Sequence, residues 1–173
     1  KGTKIFYTYK FKHSVLISNE NLLALAKKTI LSESESIAKL TTFLDEQFLS
    51  TTHKIFHSKG RVVITGIGKS AIIAQKISAT LNSTGQKAVF MHATDAMHGD
   101  LGIIDDDDII IFLSKSGNTP EIKVLMPLLK RLGNKIIALV SNIESYLAKN
   151  SDFVINAHVE SEACPLNLAP TTS

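Results

Sequence analysis

The sequence predicts an α/β fold: a doubly wound five-stranded parallel sheet flanked by helices and preceded by N-terminal helices. Three observations predict it. From Gly60 onward five short β-branched runs, "RVVIT", "KAVFMH", "DIIIFLS", "KIIALVS" and "DFVINAH", are continuously apolar, as strands covered on both faces must be. Stretches of helical periodicity separate them, giving an alternating βαβαβ order. Glycines and hydroxyl residues gather where strand gives way to helix, the edge at which such sheets carry their ligands.

Taken in order, the first segment reads as an N-terminal extension over residues 1–18, followed by one domain over 19–173. Its lysine-dotted start, "KGTKIFYTYKFKH", has no hydrophobic signal-peptide centre. From Asn19 to His57, Leu22, Leu23, Leu25, Ala26, Ile30, Ile37, Leu40, Phe43, Leu44 and Phe48 recur at helical spacing. The polar "LSESES" inside this stretch is either the outer face of one long helix or a break between two. After the first strand, "KSAIIAQKISATLNSTG" reads as a helix with Gly85 at its C-terminal cap. "DAMHGDLG" is a short turn, and "DDDD", Asp105 to Asp108, lacks the spacing of a calcium loop and reads as a solvated turn. The next helix runs from Pro120 to Leu132 and ends at Gly133, with Pro127 removing one backbone bond and kinking it. "ESYLAKN" supplies the last short helix before the fifth strand.

Composition narrows the function classes. The chain has 173 residues, 44% of them hydrophobic, enough for one sizeable core. Lysine and arginine outnumber acids 19 to 16, a net charge of +3, and are scattered, so nucleic acid is not an expected partner. No run approaches ~18 uninterrupted apolar residues, so no membrane span is expected. The lone Cys164 rules out an internal disulfide and a cysteine-built zinc cluster, which fits a reducing cytoplasm. A start without methionine and an end at "APTTS" suggest a piece of a longer protein.

The chemistry-bearing residues fall at four strand ends. "GIGKSA", Gly66 to Ala71, formally fits a dinucleotide loop, but the acid expected about 20 residues on is missing, because the second strand ends at His92. A nucleoside triphosphate loop would need glycine where Val63 stands. The plain alternative is a tight turn that lets helix pack close to strand. Lys69 argues for more: a cation at a helix N-terminus opposes the dipole there unless an anion lies nearby.

In "SKSGNTPE" the helix starts with Thr119 as cap and Pro120 at the first position, so free NH groups point outward. Ser114, Ser116 and Thr119 add hydroxyls, and Gly117 permits the close backbone approach a phosphate oxygen needs. Glu121, in the first turn, is either an acid–base group or a carboxylate that complements the dipole. "HATDAMHGDLG" brings His92, Asp95, His98 and Asp100 to one rim loop. Their spacing matches no compact zinc signature, so the histidines are read as binding or protonating a ligand. Past the last strand stand Glu160, Glu162 and "ACPLNLAPTTS", where Pro165 and Pro170 keep the chain irregular and Thr171, Thr172 and Ser173 resemble the cap of a further helix.

Assembled in order, "GIGKS", "HGDLG", "SxSGxTxE" and "EACPLNLAPTTS" resemble the sugar isomerase (SIS) domain, which has a flavodoxin-like sheet. More closely, they are similar to the KpsF/GutQ-like arabinose-5-phosphate isomerases. The match is close from about Arg61 to Ser173 and weaker over Asn19 to Gly60. The resemblance implies interconversion of D-arabinose 5-phosphate and D-ribulose 5-phosphate through an enediol, the first step of Kdo biosynthesis for lipopolysaccharide or capsule, with no redox cofactor required. By position it implies catalytic roles for Lys69, His98, Glu121 and Glu162, and a phosphate seat of Ser114, Ser116 and Thr119. It adds Gly68, Ser70, Gly85, Gln86, His92, Gly117, Asn118, Thr171 and Thr172 to the substrate contacts, with His92 also aligned with a proposed zinc position. Either Glu162 or Glu121 is expected to shuttle the carbon proton, with a pKa raised by burial beside another carboxylate. His98 is expected to assist ring opening or oxygen protonation, and Lys69 to stabilise developing negative charge.

The family chain continues through an "SHPGG"-type segment and often two CBS domains, which this sequence lacks, and its members assemble as tetramers. The rival reading is a non-catalytic SIS module that senses a phosphosugar or nucleotide sugar; an enzyme of the same fold acting on a hexose phosphate is a further one.

Overall fold

The computed structural model describes residues 19–164 and 169–173. The N-terminal extension and the middle of the "ACPLNLAP" stretch, with Pro165, lie outside the described residues. Helix α1 spans Asn19–Lys39 and contains all of "LSESES". The break comes later, through a 3-10 turn at Leu40–Phe43, before α2 at Glu46–Phe56. Its cause is local competition for backbone groups. Thr41 and Thr42 donate their hydroxyls back to the carbonyls of Ala38 and Lys39 (2.7 and 2.8 Å), and the Asp45 carboxylate then accepts from the amides of Gln47 and Phe48 to start α2.

Strands β1 (Val62–Gly66), β2 (Ala88–His92), β3 (Ile109–Ser114), β4 (Lys135–Val140) and β5 (Phe153–Asn156) fall on the five apolar runs, β1 reaching one residue past its own. Among the described residues they form one parallel sheet of order β2-β1-β3-β4-β5. The intervening helices are α3 (Lys69–Ser83), α4 (Ala93–Ala96), α5 (Pro120–Leu132) and α6 (Tyr146–Asn150), with a 3-10 turn at Asp100–Ile103. Helix α5 runs unbroken through Pro127 and stops where Gly133 takes a left-handed φ of 83°.

Alternation along each strand sorts the side chains into two cores. On one face Val63, Ile110 and Phe112 pack with Ile122, Leu125 and Met126 of α5 and Leu147 of α6. On the other, Val62, Ile64, Ile109 and Ile111 pack against Ala74 of α3, with Ile55 of α2 and Leu81 of α3 closing the edge. The chain leaving β1 therefore turns to one face and the chain leaving β3 to the other. Between these adjacent strands the carboxyl edge is left open, the switch point at which doubly wound sheets hold ligands.

At the opposite edge the "DDDD" turn is only partly solvated, contrary to the sequence expectation. Asp108 is buried and accepts from the Arg61 amide (2.7 Å) and guanidinium (2.6 Å), while Asn134 Nδ2 donates to the carbonyls of Asp105 and Asp108 (2.8 and 2.9 Å). A side chain at Gly60 would lie 2.2 Å from the Asp107 carbonyl oxygen, so the turn also needs that glycine. Burial alone would raise the Asp108 pKa, but hydrogen bonds from the Arg61 side chain and from the Asp105 and Arg61 amides hold it below the usual carboxylate range. A carboxyl depressed on folding stabilises fully above its unfolded pKa of about 4 and loses that contribution as pH falls through its folded value. Asp108→Asn is expected to destabilise the fold by about 1–3 kcal/mol at pH 7 in urea denaturation, with the gap to wild type narrowing below about pH 4.

Candidate active site

Three segments converge on the switch point. The β1–α3 turn brings Gly68, Lys69 and Ser70. Gly66 is required for close packing, because a Cβ there would sit 2.9 Å from the Ser70 carbonyl carbon. Gly68 caps α3 with φ 58° and faces open space, leaving the start of α3 exposed beside Lys69.

The β3–α5 loop supplies the hydroxyls. Ser114 Oγ accepts from the Gly117 amide (3.0 Å) and Ser116 Oγ from the Asn118 amide (3.4 Å), so each hydroxyl proton remains available to an incoming acceptor. Thr119 occupies the cap position of α5, yet its side chain makes no capping bond. Its Oγ1 is buried and has no hydrogen-bond partner among the described residues. Ordinary capping does not explain that hydroxyl, whereas a bound anion would satisfy it. Gly117 serves a different neighbour from the one expected. Its φ is 65°, and a Cβ there would meet Ser145 Oγ at 2.1 Å, so its smallness admits the start of α6. Asn118 works with it, since its Oδ1 accepts from the Tyr146 amide (2.9 Å).

A cavity of about 600 Å³ opens over this loop, lined among others by Ser70, Ser114, Ser116, Thr119, Ser141 and His158. A second, of about 460 Å³, shares Ser70, Ser114, Lys115 and Ser141 with it and extends to Lys69 and Ser173. Lys115, Ser141 and His158 stand outside the sequence expectations. Their common signal is position, at or just past the carboxyl ends of β3, β4 and β5.

The tail folds around Glu162. Its Oε2 accepts from the amides of Thr171 and Thr172 (both 2.8 Å) and Ser173 (3.2 Å), and its Oε1 takes the Ser173 hydroxyl and the Lys115 ammonium. In return Thr172 Oγ1 and Thr171 Oγ1 accept from the amides of Ala163 (3.0 Å) and Cys164 (3.2 Å). This reciprocal closure reverses the expected pKa. Burial pushes Glu162 up, but the Lys115 and Ser173 hydrogen bonds and the Thr172 and Thr171 amides outweigh it and hold the carboxyl far below the usual range. Glu162 is thus a fixed anion; Thr171 also donates its hydroxyl to it (3.4 Å), whereas Thr172 Oγ1 acts only as an acceptor and its proton remains available.

The remaining expected residues divide. Glu121 is half-buried in the first turn of α5, two residues past Thr119, and lines neither cavity. His92 closes β2, and its Nδ1 accepts from the Thr94 amide (3.3 Å) as the cap of α4. His98 is exposed in the following turn, on the same edge of the sheet but over its outermost strand, and lines neither cavity. Gly85 and Gln86 do not join the rim of this chain. They end α3, with the Gln86 amide bonded to the Leu81 carbonyl (3.0 Å), and precede β2, which puts them at the opposite edge of the sheet. Among the described residues no cluster of three or more His, Cys, Asp or Glu occurs, and His92 Nδ1 is engaged by the Thr94 amide. Among those residues no helix is long and apolar enough to cross a membrane.

Sheet order, switch-point crevice and hydroxyl-lined loop together define an α/β domain with an open, hydroxyl-lined crevice between β1 and β3. The chain belongs to the SIS domain family, which matches it over residues 54–173. It is 44% identical over 155 residues to arabinose 5-phosphate isomerase KdsD of Pseudomonas aeruginosa, a match covering 90% of this chain and 48% of that protein. With arabinose 5-phosphate isomerase KpsF of Escherichia coli O6:H1 it shares 45% identity over 153 residues, covering 88% and 47% respectively. The chain spans about half the length of these curated relatives. Its fold matches that of E. coli CFT073 c3406, solved in complex with arabinose 5-phosphate, with a TM-score of 0.85 and 38% sequence identity, covering 90% of this chain and 82% of that one.

Thr119→Val separates capping from anion binding. Because the hydroxyl satisfies nothing in the fold, the variant is expected to melt at or above the wild-type temperature while its affinity for inorganic phosphate falls about tenfold or more, the worth of a hydrogen bond to a charged group. Thermal melts and calorimetric titration read the two effects separately.

Proposed function

We propose that this chain is the SIS domain of an aldose–ketose isomerase that interconverts D-arabinose 5-phosphate and D-ribulose 5-phosphate, the first step of Kdo biosynthesis. The observation that carries the reading is the hydroxyl-rich seat at the β1/β3 switch point, with Lys69 lining the adjoining cavity and Glu121 in the first turn of the helix that the seat precedes, in a chain similar to KdsD and KpsF over most of its length.

Anchoring the phosphate at Ser114, Ser116 and Thr119 leaves the carbonyl end of the open-chain sugar to reach the neighbouring side chains. Isomerisation removes the proton from C2, passes through an enediolate, and returns a proton to C1 while the oxygens exchange theirs. A positioned base contributes about 10²–10⁴-fold to such a step. Of the two glutamates, Glu121 suits that task. The Glu162 lone pairs are taken by amides, a hydroxyl and an ammonium, and an anion so stabilised accepts a proton poorly. Lys69 supplies positive charge where the enediolate oxygens develop negative charge. His98 would assist ring opening from the rim. The chemistry is proton transfer alone and calls on no redox cofactor.

Assembly with further copies, as a tetramer, is part of the same proposal. None of the 21 residues of α1 is buried among the described residues, and Leu23, Ile30, Leu31 and Ile37 are each more than 60% exposed. A helix whose leucines and isoleucines are left so open is suited to an interface. A cytoplasmic setting accords with the sole cysteine and the small phosphorylated substrate.

Assayed side by side on arabinose 5-phosphate and glucosamine 6-phosphate, the full-length protein is expected to isomerise the first and not the second. Glu121→Gln should lower kcat by at least about a hundredfold while ligand affinity stays within about tenfold. Tight binding with no turnover of either sugar would favour the sensing module instead.

A further inference from the structure

Lys115 stands between the two serines of the seat, where neither the loop's capping chemistry nor the isomerisation step gives it a task. Its backbone is fixed, because its carbonyl accepts from the Ser141 amide (3.2 Å). Its side chain is 52% exposed, lines both cavities, and reaches Glu162 with its ammonium. The Glu162 side chain is buried while Lys115 is half exposed, and the carboxylate keeps its three backbone amides and the Ser173 hydroxyl when the ammonium leaves. A phosphate dianion held by Ser114, Ser116 and Thr119 would present about twice the charge of Glu162 in the same crevice. Lysine suits an exchange between the two, being a point charge on a flexible stem rather than a planar fork locked to one partner.

We propose that Lys115 is a further ligand-binding residue of the seat, and that its ammonium exchanges Glu162 for the phosphate group when the anion binds. The exchange rests on the reading of this crevice as a phosphate seat, and it makes Glu162 a competitor for the cation that the ligand needs. Removing that competition should therefore strengthen binding, and the gain should depend on Lys115, a dependence that a purely structural Lys115–Glu162 pair does not give.

Calorimetric titration of the full chain with inorganic phosphate tests this. Lys115→Met is expected to weaken phosphate binding about tenfold or more, and Lys115→Arg to keep it within about threefold. Glu162→Gln, which retains an acceptor for the tail amides, is expected to tighten phosphate about threefold, and the gain should vanish when Lys115→Met is added. Unchanged phosphate affinity in Lys115→Met, a loss of affinity in Glu162→Gln, or a gain that persists without Lys115 would each overturn the assignment. The arginine and glutamine variants keep the loop's charge or hydrogen bonds, so they decide the matter even if the methionine variant does not fold. A wild-type chain that does not bind phosphate overturns the seat and this assignment together. Phosphate binding intact in a protein that fails to isomerise arabinose 5-phosphate overturns only the isomerase reading.

Discussion

Strands β1 and β3 are hydrogen-bonded neighbours, yet the chain leaves them toward opposite faces of the sheet. That divergence is the constraint on which the site depends. It parts the β1–α3 turn from the β3–α5 loop, opens the crevice between them, and turns the starts of both helices toward the same space. The two buried faces set the geometry rigidly, since Val62, Val63, Ile110 and Phe112 leave no freedom for either strand to shift. Hydroxyls placed on such a frame are organised before any ligand arrives, which reduces the ordering that binding would otherwise require.

The polar tail is organised by one carboxylate. Three successive amides, those of Thr171, Thr172 and Ser173, converge on Glu162 as they would on an anion at a helix start. The carboxylate thus takes, in its own loop, the place that the proposed anion would take at the β3–α5 loop. Lys115 joins these two anion-binding arrangements, so charge at one is felt at the other.

Much of the fold was legible in the sequence because burial on both faces leaves a strong mark. Runs such as "DIIIFLS" could hardly be anything but interior strands, and the limits of α5 at Pro120 and Gly133 follow from backbone restrictions that are local. What was not legible depends on partners distant in sequence. Asp108 looked like one of four solvated acids because its partner Arg61 lies 47 residues away. The task of Gly117 is set by Ser145, and the sign of the Glu162 shift by Lys115 and by amides beyond Thr171. The end of α1 was ambiguous for another reason: "LSESES" and "LTTFLD" both contain groups able to compete with a helix backbone, and only the second does so decisively. Spacing located the seat loops, whereas Gly85 and Gln86, assigned through resemblance, fall on the far edge of the chain's own sheet.

The most direct measurement of the central claim is a titration of the isotopically labelled chain with inorganic phosphate, followed through its backbone amide resonances. Shifts concentrated at the amides of 66–71 and 114–122, with smaller ones at 171–173 as Glu162 loses its cation, are what a dianion in the β1/β3 crevice predicts. Perturbations spread over surface lysines, or centred on the opposite edge around 85–87 and 105–108, would contradict it.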